Sequence, residues 1–120
     1  YIMNISILYN YGIIFNKQTS GNIKIIANSL NLAIYIDKFT TQKKMLQEFI
    51  STLNLALTCN SISSDDKEWS VELGRQMYTG VIQSNMTFDL FLEDHYDQTL
   101  ETFPLSDIRE IFNSLLEFID

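Results

Sequence analysis

The sequence predicts an α+β fold: a single domain over residues 1–120, with antiparallel β-hairpins packed against two or three helices. Three observations carry that expectation. Met86 to Glu93 alternates apolar and polar residues, and Gln98 to Phe103 supplies a return strand. Thr40 to Leu57, and the segment after Ser106, place apolar residues at the three-four spacing of amphipathic helices. The chain has 120 residues, 46% apolar and 19% charged, so it has material for one core. A chain of this size takes about two-thirds of its unfolded surface inside.

From the N-terminus, Ile5, Ile7 and Tyr9 alternate and predict a strand. Asn10-Tyr11-Gly12 reads as a turn, and Ile13 to Phe15 as the returning strand. Asn16 to Asn22 is polar, contains Gly21 and reads as a loop. Ile23 to Ala27 and Asn31 to Ile36 are rich in β-branched Ile and predict a second hairpin about Asn28-Ser29. A buried helix is the other reading of this stretch, because Ile23, Ile26, Leu30 and Ile34 also fit a helical period.

Thr40 to Leu57 predicts a helix with Met45, Leu46, Phe49, Ile50, Leu53, Ala56 and Leu57 on its buried stripe and Thr40 or Thr41 as N-cap. Asp65 to Tyr78 predicts a helix as well, since Trp69, Leu73, Met77 and Val81 recur at steps of four. Asp65, Asp66 and Glu68 would suit the positive end of that helix. Gly74 and Gly80 oppose it, each costing about 1 kcal/mol against Ala in a helix interior. Trp69, Val71 and Leu73 also alternate as a strand would. In the 86–93 strand, Phe88, Leu90 and Leu92 share one face, while Thr87, Asp89, Phe91 and Glu93 share the other. Asp94 to Asp97 makes the turn. Pro104 ends the return strand, and Ser106 caps a last helix whose stripe is Ile108, Ile111, Phe112, Leu115, Leu116 and Ile119.

Charge is unevenly distributed. The net is −7 overall, but residues 1–64 carry five Lys against Asp37 and Glu48, a net of +3. Residues 65–120 carry thirteen acids against Lys67, Arg75 and Arg109, a net of −10. That balance argues against nucleic acid as a partner, because phosphate binding needs clustered Lys and Arg. It points to a basic protein partner, or to nothing more than solubility. The densest acidic region is the 87–103 hairpin, with Asp89, Glu93, Asp94, Asp97 and Glu101. Phe91 and Tyr96 lie among these acids. An aromatic anchor ringed by carboxylates has the composition of a protein-binding surface, so these seven residues form the candidate binding site. A solvated sheet face with Phe91 covered is the plainer reading.

Enzyme patterns are missing from the sequence. His95 is the only His, and it sits in Glu93-Asp94-His95-Tyr96-Asp97 without a nucleophile motif. The acids around it lack the ligand offsets of zinc or calcium sites. Asp65 and Asp66 are adjacent and read as helix-terminal acids. The glycines at 12, 21, 74 and 80 are isolated, so there is no phosphate loop. Cys59 is a lone thiol, which excludes an internal disulfide framework. The expectation is a protein with no enzymatic activity, no cofactor and no metal. Tyr1 to Phe15 fits neither a signal peptide nor a membrane span, and the Asn-x-Ser/Thr triplets at Asn4 and Asn85 then carry no function. A cytoplasmic location is expected.

The segment Leu100 to Ile119, LETFPLSDIREIFNSLLEFI, resembles the C-terminal ends of bacterial immunity proteins of contact-dependent growth-inhibition (CDI) systems. There a strand ends in a Pro-containing step and a capped amphipathic helix closes the chain. Size and acidity are similar too. The resemblance implies a cytoplasmic protein that binds the toxic C-terminal domain of a cognate effector, many of which are basic nucleases, and blocks it. It carries no site residue onto this chain. The toxin-binding protein is expected to be a monomer or homodimer when free. The other reading is a non-enzymatic adaptor or regulatory protein that binds another protein through an apolar surface, with a homodimer across an edge strand as one form.

Overall fold

The computed structural model describes residues 4–59, 62–73, 76–92 and 98–119. The expected α+β class is the class observed: four α-helices and two antiparallel sheets among the described residues. The chain divides into two compact units, Tyr1–Gln47 with Glu110–Asp120, and Glu48–Arg109.

In the first unit, α1 (Ile5–Asn10) replaces the strand expected over Ile5 to Tyr9. Asn4 is its N-cap, its side-chain oxygen accepting from the Ile7 N–H at 3.2 Å. Asn4 is itself tied to the C-terminal helix: its N–H donates to Ser114 Oγ and its amide to Glu110 Oε1. Helical winding turns Leu8 inward and leaves Ile5 and Tyr9 72% and 83% exposed. Gly12, at φ +62°, ends α1 in a Schellman motif. Its N–H donates to Tyr9 O, and the Ile13 N–H donates to Leu8 O at 2.8 Å. Leu8 and Ile13, the apolar pair of that motif, are both buried.

Strands β1 (Ile14–Lys17) and β2 (Ile23–Ile26) form the antiparallel hairpin, with Phe15 opposite Ile25. The strand expected over Asn31 to Ile36 is instead part of α2 (Leu30–Phe39). Ser29 decides it, accepting from the Leu32 N–H at 3.2 Å and so nucleating the first turn. The buried stripe is Leu32, Ala33, Tyr35, Ile36 and Phe39, not the Leu30–Ile34 row that the helical alternative used. Tyr35, Phe39 and Phe112 form an aromatic cluster with centroids 4.9–6.2 Å apart, both contacts with Phe112 edge-on.

Helix α3 (Lys43–Cys59) matches the expected stripe: Leu46, Phe49, Ile50, Leu53 and Ala56 are buried. Its cap differs from expectation. Thr40 closes α2, its hydroxyl donating to Asp37 O at 2.7 Å, and so is not the N-cap of α3.

In the second unit, the helix expected over Asp65 to Tyr78 is absent. A single 3-10 turn at Ser64–Asp66 leads into β3 (Glu68–Leu73), followed by β4 (Gln76–Ile82). With β5 (Thr87–Leu92) and β6 (Glu101–Pro104) they form one antiparallel sheet in the order β3-β4-β5-β6. Register places Val71, Tyr78 and Leu92 on one row and Trp69, Gly80 and Leu90 on another; Ile82, Phe88 and Phe103 make a third on the same face. Phe49 of α3 packs on this face, 5.0 Å from Trp69 and 5.7 Å from Phe88, centroid to centroid. The last helix, α4 (Leu105–Ile119), starts one residue before the expected cap Ser106. The Leu105 N–H donates to Met86 O, so a β4–β5 turn carbonyl satisfies a helix-start donor. Ile108, Ile111, Phe112 and Leu115 are buried as expected; Leu116 and Ile119 are only half-buried.

Candidate functional site

The opposite face of the four-stranded sheet is the candidate site. Because strand side chains alternate, residues offset by one from the apolar rows point the other way. One row across all four strands is Glu68, Val81, Asp89 and Thr102. The next is Ser70, Thr79 and Phe91, and beyond it Glu72 lies opposite Met77. Glu68, Ser70, Glu72 and Thr102 are exposed, and Val81, Met77 and Asp89 half-buried. No Lys or Arg occupies this face among the described residues. Neighbouring strands lie about 4.8 Å apart, so Glu68 and Asp89 sit on positions about 10 Å apart; Glu68 and Glu72 are about 13 Å apart along β3.

Three of these side chains are fixed by the sheet itself. The Asp89 carboxylate accepts from Thr102 Oγ1 at 2.7 Å and from Gln83 Nε2 at 3.1 Å, one bond to each oxygen. Ser70 and Thr79 share a hydroxyl–hydroxyl bond of 2.8 Å across β3 and β4. A carboxylate held on both oxygens still has free lone pairs for a cationic partner, and it loses little rotamer freedom on binding.

The sequence-derived site residues divide accordingly. Asp89 is on this face. Phe91 is on it by register but only 7% exposed, so it is not the projecting aromatic anchor that was expected. Glu101 lies opposite Leu90, which puts it on the other face of the sheet from Asp89. Glu93, Asp94, Tyr96 and Asp97, with His95 among them, lie outside the described residues. Glu68 and Glu72 were missed because their segment was read as helix, although the Trp69-Val71-Leu73 alternation placed both between apolar residues.

The charge follows the division into units. The residues of the first unit sum to +1 and those of the second to −8, together the chain's −7. Among the described residues no group of three His, Cys, Asp or Glu could hold a metal ion. Asp66, one of the paired acids considered above, accepts from Ser63 Oγ at 3.0 Å in the 3-10 turn. Among the described residues no helix is long and apolar enough to cross a membrane. No family model, curated protein or solved structure matches the chain.

Proposed function

We propose that this chain is an immunity protein that binds a cognate toxin domain, a basic nuclease of a contact-dependent growth-inhibition system, and neutralises it by occlusion. The observation that carries the reading is the acidic sheet face, where Glu68, Glu72 and a hydrogen-bonded Asp89 stand without a described cation beside the buried Thr79 and Phe91. A nuclease holds phosphates with Lys and Arg. A set of carboxylates, with Asp89 held in place, competes for the same cations and steers the encounter over long range. Glu93, Asp94 and Asp97 follow β5 in sequence and lie outside the described residues; they belong to the proposed contact set by their charge alone. The chain performs no reaction of its own, needs no cofactor, and acts in the cytoplasm.

The test is co-expression with the C-terminal domain of the large secreted protein encoded beside it, followed by calorimetry at two salt concentrations. Tight one-to-one binding that weakens with salt supports the reading. No binding by folded protein, or binding indifferent to salt, overturns it.

A second reading rests on a different observation. In the first unit Ile5, Tyr9, Leu30 and the cross-strand pair Ile14–Ile26 are exposed. An adaptor that pairs through an apolar surface, including with a second copy of itself, would use such residues. Sedimentation separates the two: a stable micromolar homodimer supports the adaptor, and a monomer supports the toxin inhibitor.

A further inference from the structure

We propose that a cavity in the second unit, bounded by the end of α3, the β4–β5 turn and the start of α4, binds a small monocarboxylate with a compact apolar body. The cavity measures about 260 Å³. It is open to solvent on one side, and its volume has room for a ring or short branched chain with its carboxylate. Ala56, Ile62, Ile82, Met86 and Leu105 supply the apolar walls. Among the described lining residues Lys67 is the one charged side chain, and it makes no ion pair with another described residue. The Ser84 hydroxyl adds a donor on the same rim.

The walls are tied in place before any ligand arrives. The Ile82 N–H donates to Lys67 O at 2.9 Å, fixing the cationic side of the cavity to β4. The Met86 N–H donates to Gln83 O, and Met86 O accepts from the Leu105 N–H, fixing the turn to α4. Met86 is held at φ +67°, the left-handed position that closes a three-residue hairpin loop, with the Gln83 N–H donating to Thr87 O across its base. A preformed wall lowers the reorganisation cost of binding.

The charge state of the ligand follows from the surroundings. Lys67 offers one positive charge, and Asp65, Asp66 and Glu68 flank it in sequence. Those acids oppose any anion, and a phosphate dianion about twice as strongly as a monocarboxylate, so a single negative charge is the most that Lys67 can hold there. A neutral ligand leaves the ammonium unpaired. A single carboxylate on an apolar body satisfies both the walls and Lys67.

The experiment is an NMR titration of the full chain with benzoate, with benzyl alcohol and inorganic phosphate as comparators. The expected result is saturable one-site shifts from benzoate at the Lys67, Ile82, Ser84 and Met86 amides and the Met86 methyl. Lys67→Met is expected to weaken benzoate binding about tenfold and to leave benzyl alcohol unaffected, while Lys67→Arg restores it. Lys67 is half-buried, so both variants are checked for an intact amide spectrum first. Three results overturn the proposal: no saturable shifts at these residues, phosphate binding as tightly as benzoate, or benzoate binding unchanged in folded Lys67→Met.

Discussion

Thr102 of β6 donates a 2.7 Å hydrogen bond to Oδ1 of Asp89 on the neighbouring β5, where register sets the two directly opposite. The pair ties the edge strand of the four-stranded sheet to its acidic face. Gln83, at the end of β4, holds the other carboxylate oxygen. A charged group that has spent its rotamer freedom on folding does not spend it again on meeting a partner.

Thr102→Val keeps the side-chain shape and removes that donor. The bond is solvent-exposed, so the loss belongs at the low end of the usual range, about 0.5 kcal/mol. Urea unfolding is expected to show a slightly lower midpoint with an unchanged slope. A loss of several kcal/mol would mean that β6 is held far more by this bond than by Phe103.

Reversing charge at both Glu68 and Asp89 is expected to weaken toxin binding at least about tenfold, mainly through a slower association rate. The effect shrinks as salt rises, because screening at physiological ionic strength acts beyond about 8 Å. Stopped-flow association at two salt concentrations reads both. An unchanged rate in a double variant with native circular dichroism removes this face from the account.

The contrast between β5 and β3 explains how much of this site the sequence carried. Phe88, Leu90 and Leu92 alternate without competition from a helical period, so Asp89 was placed on the correct face from sequence. Trp69, Leu73, Met77 and Val81 recur at steps of four, and four is compatible with both a helix and a strand. In the structure Trp69 faces Phe49, whereas Met77 and Val81 lie in rows of the acidic face. A single helical stripe was therefore never the right grouping, and Glu68 and Glu72 were lost with it. Glu101 was misplaced for another reason: the Leu90–Glu101 register depends on how the two strands pair, which composition does not specify. The helices α1 and α2 were read as strands because their apolar residues are β-branched, while their caps, Asn4 and Ser29, act through hydrogen bonds that alternation does not display. The strand–Pro–helix unit from Glu101 to Ile119 was legible because its alternation, its proline and its apolar stripe are all local.

Gly12 and Gly21 both have positive φ, but only one is enclosed. A Cβ on Gly12 would collide with the Asn28 side chain, whereas nothing approaches one on Gly21. Gly12→Ala is expected to cost about 2 kcal/mol or more, from backbone strain and displacement of Asn28 together. Gly21→Ala is expected to cost about 1 kcal/mol, from the backbone alone. Equal midpoints in thermal unfolding of the two variants would contradict the close approach of Asn28 to Gly12.

Ser29→Ala removes the N-cap oxygen that the Leu32 N–H uses. The expected loss is about 1 kcal/mol, with Ser29→Asp close to wild type because Asp caps equally well. A strand over residues 31–36 would make both substitutions nearly silent, so this pair of variants also tests the helix.

Trp69 is the only tryptophan, and that makes its contact with Phe49 directly observable. The rings lie 5.0 Å apart, and the indole N–H donates to Asp66 O at 2.7 Å. The hydrogen bond anchors the polar edge of the indole on the 3-10 turn, while Phe49, itself fully buried, also packs against Phe88. Phe49→Leu retains an apolar side chain but loses both ring contacts and leaves a void. The expected destabilisation is about 1–2 kcal/mol, accompanied by a red shift of tryptophan emission as water reaches the indole face. Asp66→Asn leaves the backbone acceptor in place and is expected to leave the emission unchanged. A shift from Asp66→Asn, with none from Phe49→Leu, would mean that the turn, rather than helix α3, shields Trp69.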